Sequence, residues 1–172
     1  MSSDIHSQSN LLSPNERQAI TLWISNMNKW KSMGIYNKMK LAKRTMRLRY
    51  KLLGYGHSRM VYDMGNGYVL KVATSEWGIS GNKTEFELFT KSPPEIRNHL
   101  CPVIQHGHGW IIMEKMPVNV PDHSRYQNSI NQMRTTFTSH GLTPKDIRRA
   151  NLALSKDGVI KVIDYGNFIQ NK

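Results

Sequence analysis

Apolar positions recur with two different periods along this chain, and the change of period divides it. Ile20, Trp23, Ile24, Met27 and Trp30 fall three or four residues apart, the spacing of one helical face. Ser13, Pro14 and Glu16 stand ahead of them as a capping-box start. Gly34 is expected to stop this helix, and a second helical stretch is predicted from Tyr36 to Tyr50. Residues 1 to about 12 are polar and Ser-rich and read as a disordered tail. At Leu53 the period becomes two. Leu53 to Tyr62 reads as strand, glycine turn and strand, Gly65-Asn66-Gly67 as a hairpin turn, and Tyr68 to Ala73 as a strand of branched apolar residues. A helix follows, with Phe86 and Phe89 on its apolar side, and Pro93-Pro94 end it. Cys101 to His106 and Gly109 to Met113 form a further hairpin, and Tyr126, Ile130, Met133 and Phe137 mark one face of another helix. The last element is a hairpin over the turn Ser155-Lys156-Asp157-Gly158, between Leu152–Leu154 and Val159–Ile163.

Charge sharpens the division. The chain carries 24 Lys and Arg against 12 Asp and Glu, a formal charge of +12 over 172 residues, which points to an anionic partner: nucleic acid, nucleotide or acidic protein surface. Ten of the cations lie in residues 1–53 against only Asp4 and Glu16, so this part holds +8 and the rest +4. Between Lys38 and Lys51 there are seven cations and no acid. Lys40, Lys43, Arg44 and Arg47 share a side while Lys38 and Arg49 lie elsewhere, so a solvated basic helix and an anion-binding arm are both open readings. Aromatic residues that could stack bases are scarce there, which gives single-strand binding little support. No run of eighteen apolar residues and no signal-peptide pattern occur, so neither a membrane span nor secretion is expected. A single cysteine, Cys101, rules out an internal disulfide, suits a reducing cytoplasm, and reads as a buried structural thiol.

Candidate chemistry concentrates between Thr143 and Gly166. Asp146, Asn151 and Asp164 sit five and then thirteen residues apart, with the hairpin between the last two. Phosphoryl transfer needs a carboxylate to orient the attacking hydroxyl, and a second carboxylate with an amide oxygen to hold magnesium against a triphosphate. Asp146 fits the first role, Asp164 with Asn151 the second, and the Arg148 cation can reach a transferred phosphate. Lys71 is the only charge in its apolar strand, and a buried ammonium needs a partner. Glu85 is the better candidate and Glu87 the alternative. His106 and His108, with no third ligand, read as turn residues.

These residues together resemble the protein-kinase pattern. Asp146-x-x-x-x-Asn151 and Asp164-Tyr165-Gly166 match its catalytic loop and metal motif, with Pro144-Lys145 in place of His-Arg and Tyr165 in place of Phe. Gly54, Gly56 and Val61 match its glycine loop, with Arg59 where the third glycine would stand. Val69-Leu70-Lys71 matches the strand lysine, and Met113 to Pro117 falls at the hinge. The resemblance runs from about Leu53 to Gly166, and its specific look resembles small kinase-like proteins of bacteria and their phages. It implies an α+β fold: a truncated kinase-like domain at 53–172, with an antiparallel five-stranded N-lobe (53–116) and a minimal helical C-lobe (117–172), behind a tail and basic helical extension at 1–52. It further implies ATP and Mg2+ as cofactors and a cytoplasmic location, the host's if phage-encoded. Gly54, Gly56, Val61, Lys71, Glu85, Met113, Glu114 and Met116 would hold nucleotide, Asn151 and Asp164 the metal, and Asp146, Lys71 and Arg148 would act in catalysis. Because only Asn167 to Lys172 follow Asp-Tyr-Gly, no activation segment or peptide-docking platform is expected. The leading expectation is a minimal kinase acting on a hydroxyl, on a protein ahead of a metabolite. The alternative is a pseudokinase adaptor whose arm binds nucleic acid or an acidic host protein.

Overall fold

The computed structural model describes residues 9–122 and 124–171. Its centre is a five-stranded antiparallel sheet in the order β1-β2-β3-β5-β4, built from β1 (Lys51–Tyr55), β2 (Arg59–Asp63), β3 (Tyr68–Ala73), β4 (Val103–Gly107) and β5 (Trp110–Glu114). β2 and β3 are joined by the expected glycine turn, where Gly65 and Gly67 take φ of 75° and 89°. The first strand starts at Lys51, two residues before the change of sequence period, because Lys51 already pairs with Asp63.

Successive residues of a strand face opposite sides, and here both sides are apolar. Met60, Tyr62, Leu70, Val72 and Ile112 pack into one core with the N-terminal helices, whereas Ile111 and Met113 join a second core with α3 (Glu76–Lys91) and the C-terminal part. The sheet is thus covered on two faces, which explains the nearly unbroken apolar run of β3.

The N-terminal cover consists of α1 (Pro14–Asn26), a 3-10 turn at Met27–Trp30 and α2 (Ile35–Met46). The capping box forms as the sequence predicts: Glu16 N–H donates to Ser13 Oγ at 3.1 Å and Ser13 N–H to Glu16 Oε1 at 2.9 Å. Ile20, Trp23, Ile24 and Met27 are buried, and the Trp23 indole N–H donates to the Ala73 carbonyl at 3.0 Å, so the stripe faces the sheet. Trp30 lies at the edge, 39% exposed. Gly34 does not stop α1; it precedes α2, and α2 ends at Arg47 in the left-handed conformation with φ 52°. The expected disordered tail needs a correction over its last residues. Leu12 is buried, and Gln105 binds both Leu11 N–H and the Ser9 carbonyl at 3.0 Å, because an apolar side chain at the end of a polar stretch finds the sheet edge. Residues 1–8 lie outside the described residues.

On the other face, α3 runs beneath the sheet and a short helix, α4 (Pro94–Arg97), turns the chain back. The segment after it ties the two parts of the molecule, since Cys101 N–H donates to the Val162 carbonyl at 2.9 Å and Val162 N–H to the His99 carbonyl at 2.8 Å. The C-terminal part holds one long helix, α5 (Ser124–Ser139), and two small sheets. One sheet is β6 (Val118–Asn119), β8 (Leu152–Leu154) and β9 (Ile160–Val162); the other pairs β7 (Leu142–Thr143) with β10 (Ile169–Gln170). Ile130, Met133 and Phe137 of α5 pack with Ile147, Leu152, Val162, Tyr165 and Phe168, and the Arg134 guanidinium donates to the Ile147 carbonyl at 2.8 Å. The helix therefore braces the loop that carries Asp146. Among the described residues no helix is long and apolar enough to cross a membrane.

Candidate functional site

Between sheet and C-terminal part lies a cleft of about 400 Å³, lined above by Leu53, Gly54, Val61, Val69 and Lys71, and below by Asn151, Ala153, Ile163 and Asp164. Met113, Glu114, Lys115 and Met116 close its back. Its walls are apolar and its mouth is polar, the make-up of a small-molecule site. Glu114 N–H donates to the Pro102 carbonyl and Lys115 N–H to the Gly67 carbonyl, while the Met116 N–H donates to no group among the described residues. Met116 lines the cleft, and its main chain keeps a donor without a partner among the described residues. Of the residues predicted to hold nucleotide, Gly56 and the fully buried Glu85 do not line the cleft; Gly56 N–H donates back to the Arg59 carbonyl at 3.0 Å and closes the hairpin.

Lys71 meets Glu85, as the sequence suggested, at 3.1 and 3.3 Å, and donates also to the Ile163 carbonyl at 2.7 Å. Glu87 stands outside, within 4.0 Å of Lys83 at the surface. Glu85 is fully buried and also accepts the Tyr165 N–H at 3.0 Å. The Tyr165 ring is buried too, and its hydroxyl donates to the Cys101 carbonyl at 2.8 Å. The helix glutamate, the strand lysine and the backbone beside Asp164 are thereby fixed as one unit. Burial pushes the Cys101 thiol up to about 12, so it is inert, as expected for a structural thiol.

Arg59 is the residue that sequence reasoning missed. It occupies the third-glycine position, and its guanidinium turns inward, with only 9% of the side chain exposed. One nitrogen binds Glu85 and the Asn82 amide oxygen, the latter at 2.9 Å, and the other donates to Asp164 Oδ1 at 2.7 Å. Desolvation works against the charged guanidinium, but the Glu85 and Asp164 carboxylates outweigh it and hold its proton more firmly than usual. For Asp164 desolvation again opposes ionisation. The Lys71 and Arg59 charges, with hydrogen bonds from Gly166 N–H and Arg59, hold its carboxyl below the usual range. The one sequence signal for Arg59 was a lone cation in a turn otherwise free of charge.

Asp146 takes the left-handed conformation, φ 58°, which Asp tolerates better than most residues. The Asn151 amide nitrogen donates to its backbone oxygen at 3.0 Å and to Oδ2 at 3.1 Å, which leaves the Asn151 amide oxygen for a metal. Arg148 pairs with the Asp146 carboxylate, Nε to Oδ1 at 2.7 Å, and lines neither wall of the apolar cleft. A second cleft, about 530 Å³, opens on the far side of Asp164 and is bordered by Asp146, Ser58, Trp77, Ser80, Thr84 and Asn167. Asp164 borders both clefts, so it stands where they meet. α3 approaches this junction closely. A Cβ on Gly78 would lie 2.0 Å from the Ser58 carbonyl oxygen, and one on Gly166 would lie 2.9 Å from Gly81 Cα.

Among the described residues no cluster of three His, Cys, Asp or Glu side chains could hold a metal unaided. Magnesium does not need one, because it commonly takes one or two carboxylates with phosphate and water oxygens. Asp164 and Asn151 at the mouth of the cleft fit that donor set.

The five-stranded antiparallel sheet and its helices make an α+β fold consistent with a kinase-like N-lobe, and solved structures of similar fold point the same way. The solved structures that the chain matches include WbdD, a bifunctional kinase-methyltransferase, at 19% identity and a TM-score of 0.55 over 67% of this chain and 31% of that one. WbdD with the kinase inhibitor LY294002 gives 19% identity and 0.53 over 67% and 32%, and monomeric WbdD gives 20% and 0.54 over 66% and 33%. The chain spans about a third of the length of these structures, and the likeness is one of fold. No protein-family model and no curated protein matches the sequence.

Proposed function

We propose that this chain is an ATP- and magnesium-binding minimal kinase that transfers the γ-phosphoryl group to a hydroxyl, with a protein as the acceptor. The observation that carries this reading is that Lys71, Asn151 and Asp164 line one largely apolar cleft, while Asp146, bound to Asn151 at 3.1 Å, borders the second cleft that shares Asp164. Bound ATP would supply the phosphoryl group and magnesium would offset its charge. The adenine would lie between Val61, Val69, Ala153 and Ile163. Lys71, held by Glu85, would meet the phosphates, and Asp164 Oδ2 and the Asn151 amide oxygen would hold the metal. Asp146 would orient the acceptor hydroxyl and take its proton as the oxygen–phosphorus bond forms. Arg148 would keep the Asp146 carboxylate in place. The second cleft, open to solvent beside Asp146, would admit the acceptor. Replacing Asp146 by Ala is expected to lower phosphate transfer from ATP by about 10²- to 10⁴-fold and to spare nucleotide binding. Equal loss of both would remove Asp146 from this role.

A second reading, a pseudokinase adaptor that binds nucleic acid, draws on one observation. Lys29, Lys31, Lys40, Lys43, Arg44, Arg47, Arg49 and Lys51 are exposed and have no ion-pair partner among the described residues. A surface that neutralises six or more phosphates would lose roughly a thousandfold in affinity for a DNA or RNA duplex between about 50 and 200 mM salt. The triple substitution Lys43→Glu, Arg44→Glu, Arg47→Glu tests it better than truncation, since α1 and α2 cover the sheet. Binding that ignores both salt and these substitutions would dismiss it.

A further inference from the structure

Arg59 has no place in the reading above, yet it is the cation that joins both carboxylates of the site, Glu85 and Asp164. A kinase glycine loop leaves this position without a side chain, and here a guanidinium fills it and reaches from the second strand to Asp164 at 2.7 Å. Four charged groups result: Lys71 and Arg59 against Glu85 and Asp164, in mutual balance. Without Arg59 the group would carry one net negative charge, centred on the metal carboxylate.

We propose that Arg59 is a built-in counter-cation for Asp164, a positioning residue that occupies one oxygen of the metal carboxylate and makes nucleotide binding partly independent of the metal. This rests on the proposed nucleotide site and goes beyond it. Three features carry it. The fork of Arg59 is fixed from both sides, by Asn82 and Glu85 on α3 and by Asp164 below, so it does not swing away at little cost. Asp164 Oδ1 accepts from it and the Gly166 N–H also donates to the carboxylate, so the capacity that remains, with Asn151, suits one divalent ion rather than two. The positive charge stays beside the mouth of the cleft when metal is withheld, so a triphosphate entering there still meets Lys71 and a site without net negative charge. A divalent ion approaching Asp164 meets that same cation, which weakens its hold.

The test is the thermal shift of the full chain with ATP in EDTA and across a magnesium titration, for the wild type, Arg59→Ala and Asp164→Asn. In the wild type the shift with ATP in EDTA is expected to reach at least half of that with saturating magnesium. In Arg59→Ala it is expected to vanish in EDTA, and the magnesium midpoint to fall at least tenfold in concentration. Arg59→Ala leaves Glu85 paired with Lys71, which favours folding; should it fail to fold, Asp164→Asn decides. That variant frees Arg59 from Asp164, so it should keep or enlarge the EDTA shift and lose the magnesium increment. A wild-type shift that needs magnesium entirely, or an equal ratio of the two shifts in wild type and Arg59→Ala, overturns the role of Arg59 and leaves the nucleotide site standing. Absence of any shift with ATP, with or without metal, overturns both.

Discussion

Glu85 is the group whose charge the site can least lose. It is fully buried and accepts from Lys71, from Arg59 and from the Tyr165 N–H, so one carboxylate answers two cations and a backbone donor. Glu85→Gln keeps the shape and one acceptor oxygen, removes the charge, and turns an NH2 group towards groups that can only donate. Leaving a buried charge without its partner costs about 3–5 kcal/mol, a large share of the roughly 5–15 kcal/mol that holds a domain together. For a chain of this length each kcal/mol moves the melting temperature by about 2–4 °C, so a drop of about 6–20 °C is expected. Circular dichroism melts read it, and urea unfolding should show a lower midpoint at unchanged slope. The same substitution in a Lys71→Met background should cost at least about 1 kcal/mol less, because one of the stranded cations is gone. A change below about 2 °C in the wild-type background would show that Glu85 does not bind these groups together, and with it the account of a pre-assembled site would fall.

Three further outcomes follow from the geometry. Gly78→Ala should destabilise by about 1–3 kcal/mol, because its methyl group would lie 2.0 Å from the Ser58 carbonyl oxygen and push the glycine hairpin off α3; an unchanged urea midpoint would contradict the packing. Asp164 has a depressed carboxyl in the folded state, so its contribution to stability is present above the ordinary Asp range near pH 4 and is lost as pH falls through the lower folded value. Stability of Asp164→Asn should therefore fall less steeply below about pH 4 than that of the wild type, and parallel acid limbs would refute the depressed value. Cys101, buried with its thiol raised to about 12, should react with a thiol reagent at least about a hundredfold more slowly in the native than in the urea-unfolded chain. Equal rates would place it at the surface.

Much of the fold was legible because it rests on short-range chemistry. The capping box at Ser13, the glycine turn after Asp63 and the hairpin over Ser155–Gly158 are local signals, and each forms where the sequence places it. The pairing of Lys71 with Glu85 was legible for a different reason: a single charge in an apolar strand must find a partner. What escaped depends on contacts between distant segments. Arg59 looked like a gap in a glycine pattern, and nothing near it in the chain announces that its partners are Asn82, Glu85 and Asp164. Leu12 sits in a polar stretch, and only the sheet edge beside Gln105 explains its burial. The composition changes near Leu53, yet the packing does not follow it, since Trp23, Met39 and Met46 share a core with Met60, Leu70 and Val72 across that point. The apolar walls at Ala153 and Ile163 carry no motif of their own and become a slot only when β8 and the segment after β9 face Val69 of β3.

The most direct test of the central claim is calorimetric titration of ATP with magnesium into the wild type and Lys71→Met. Glu85 stays paired with Arg59 and the Tyr165 N–H in that variant, so it should fold while lacking the ammonium proposed to meet the phosphates. A hydrogen bond to a charged group contributes about 1.5–3 kcal/mol, and each 1.4 kcal/mol is tenfold in affinity. The account predicts one-to-one binding by the wild type, weakened about tenfold or more by Lys71→Met; absence of binding by the wild type, or equal affinity in both, would contradict it.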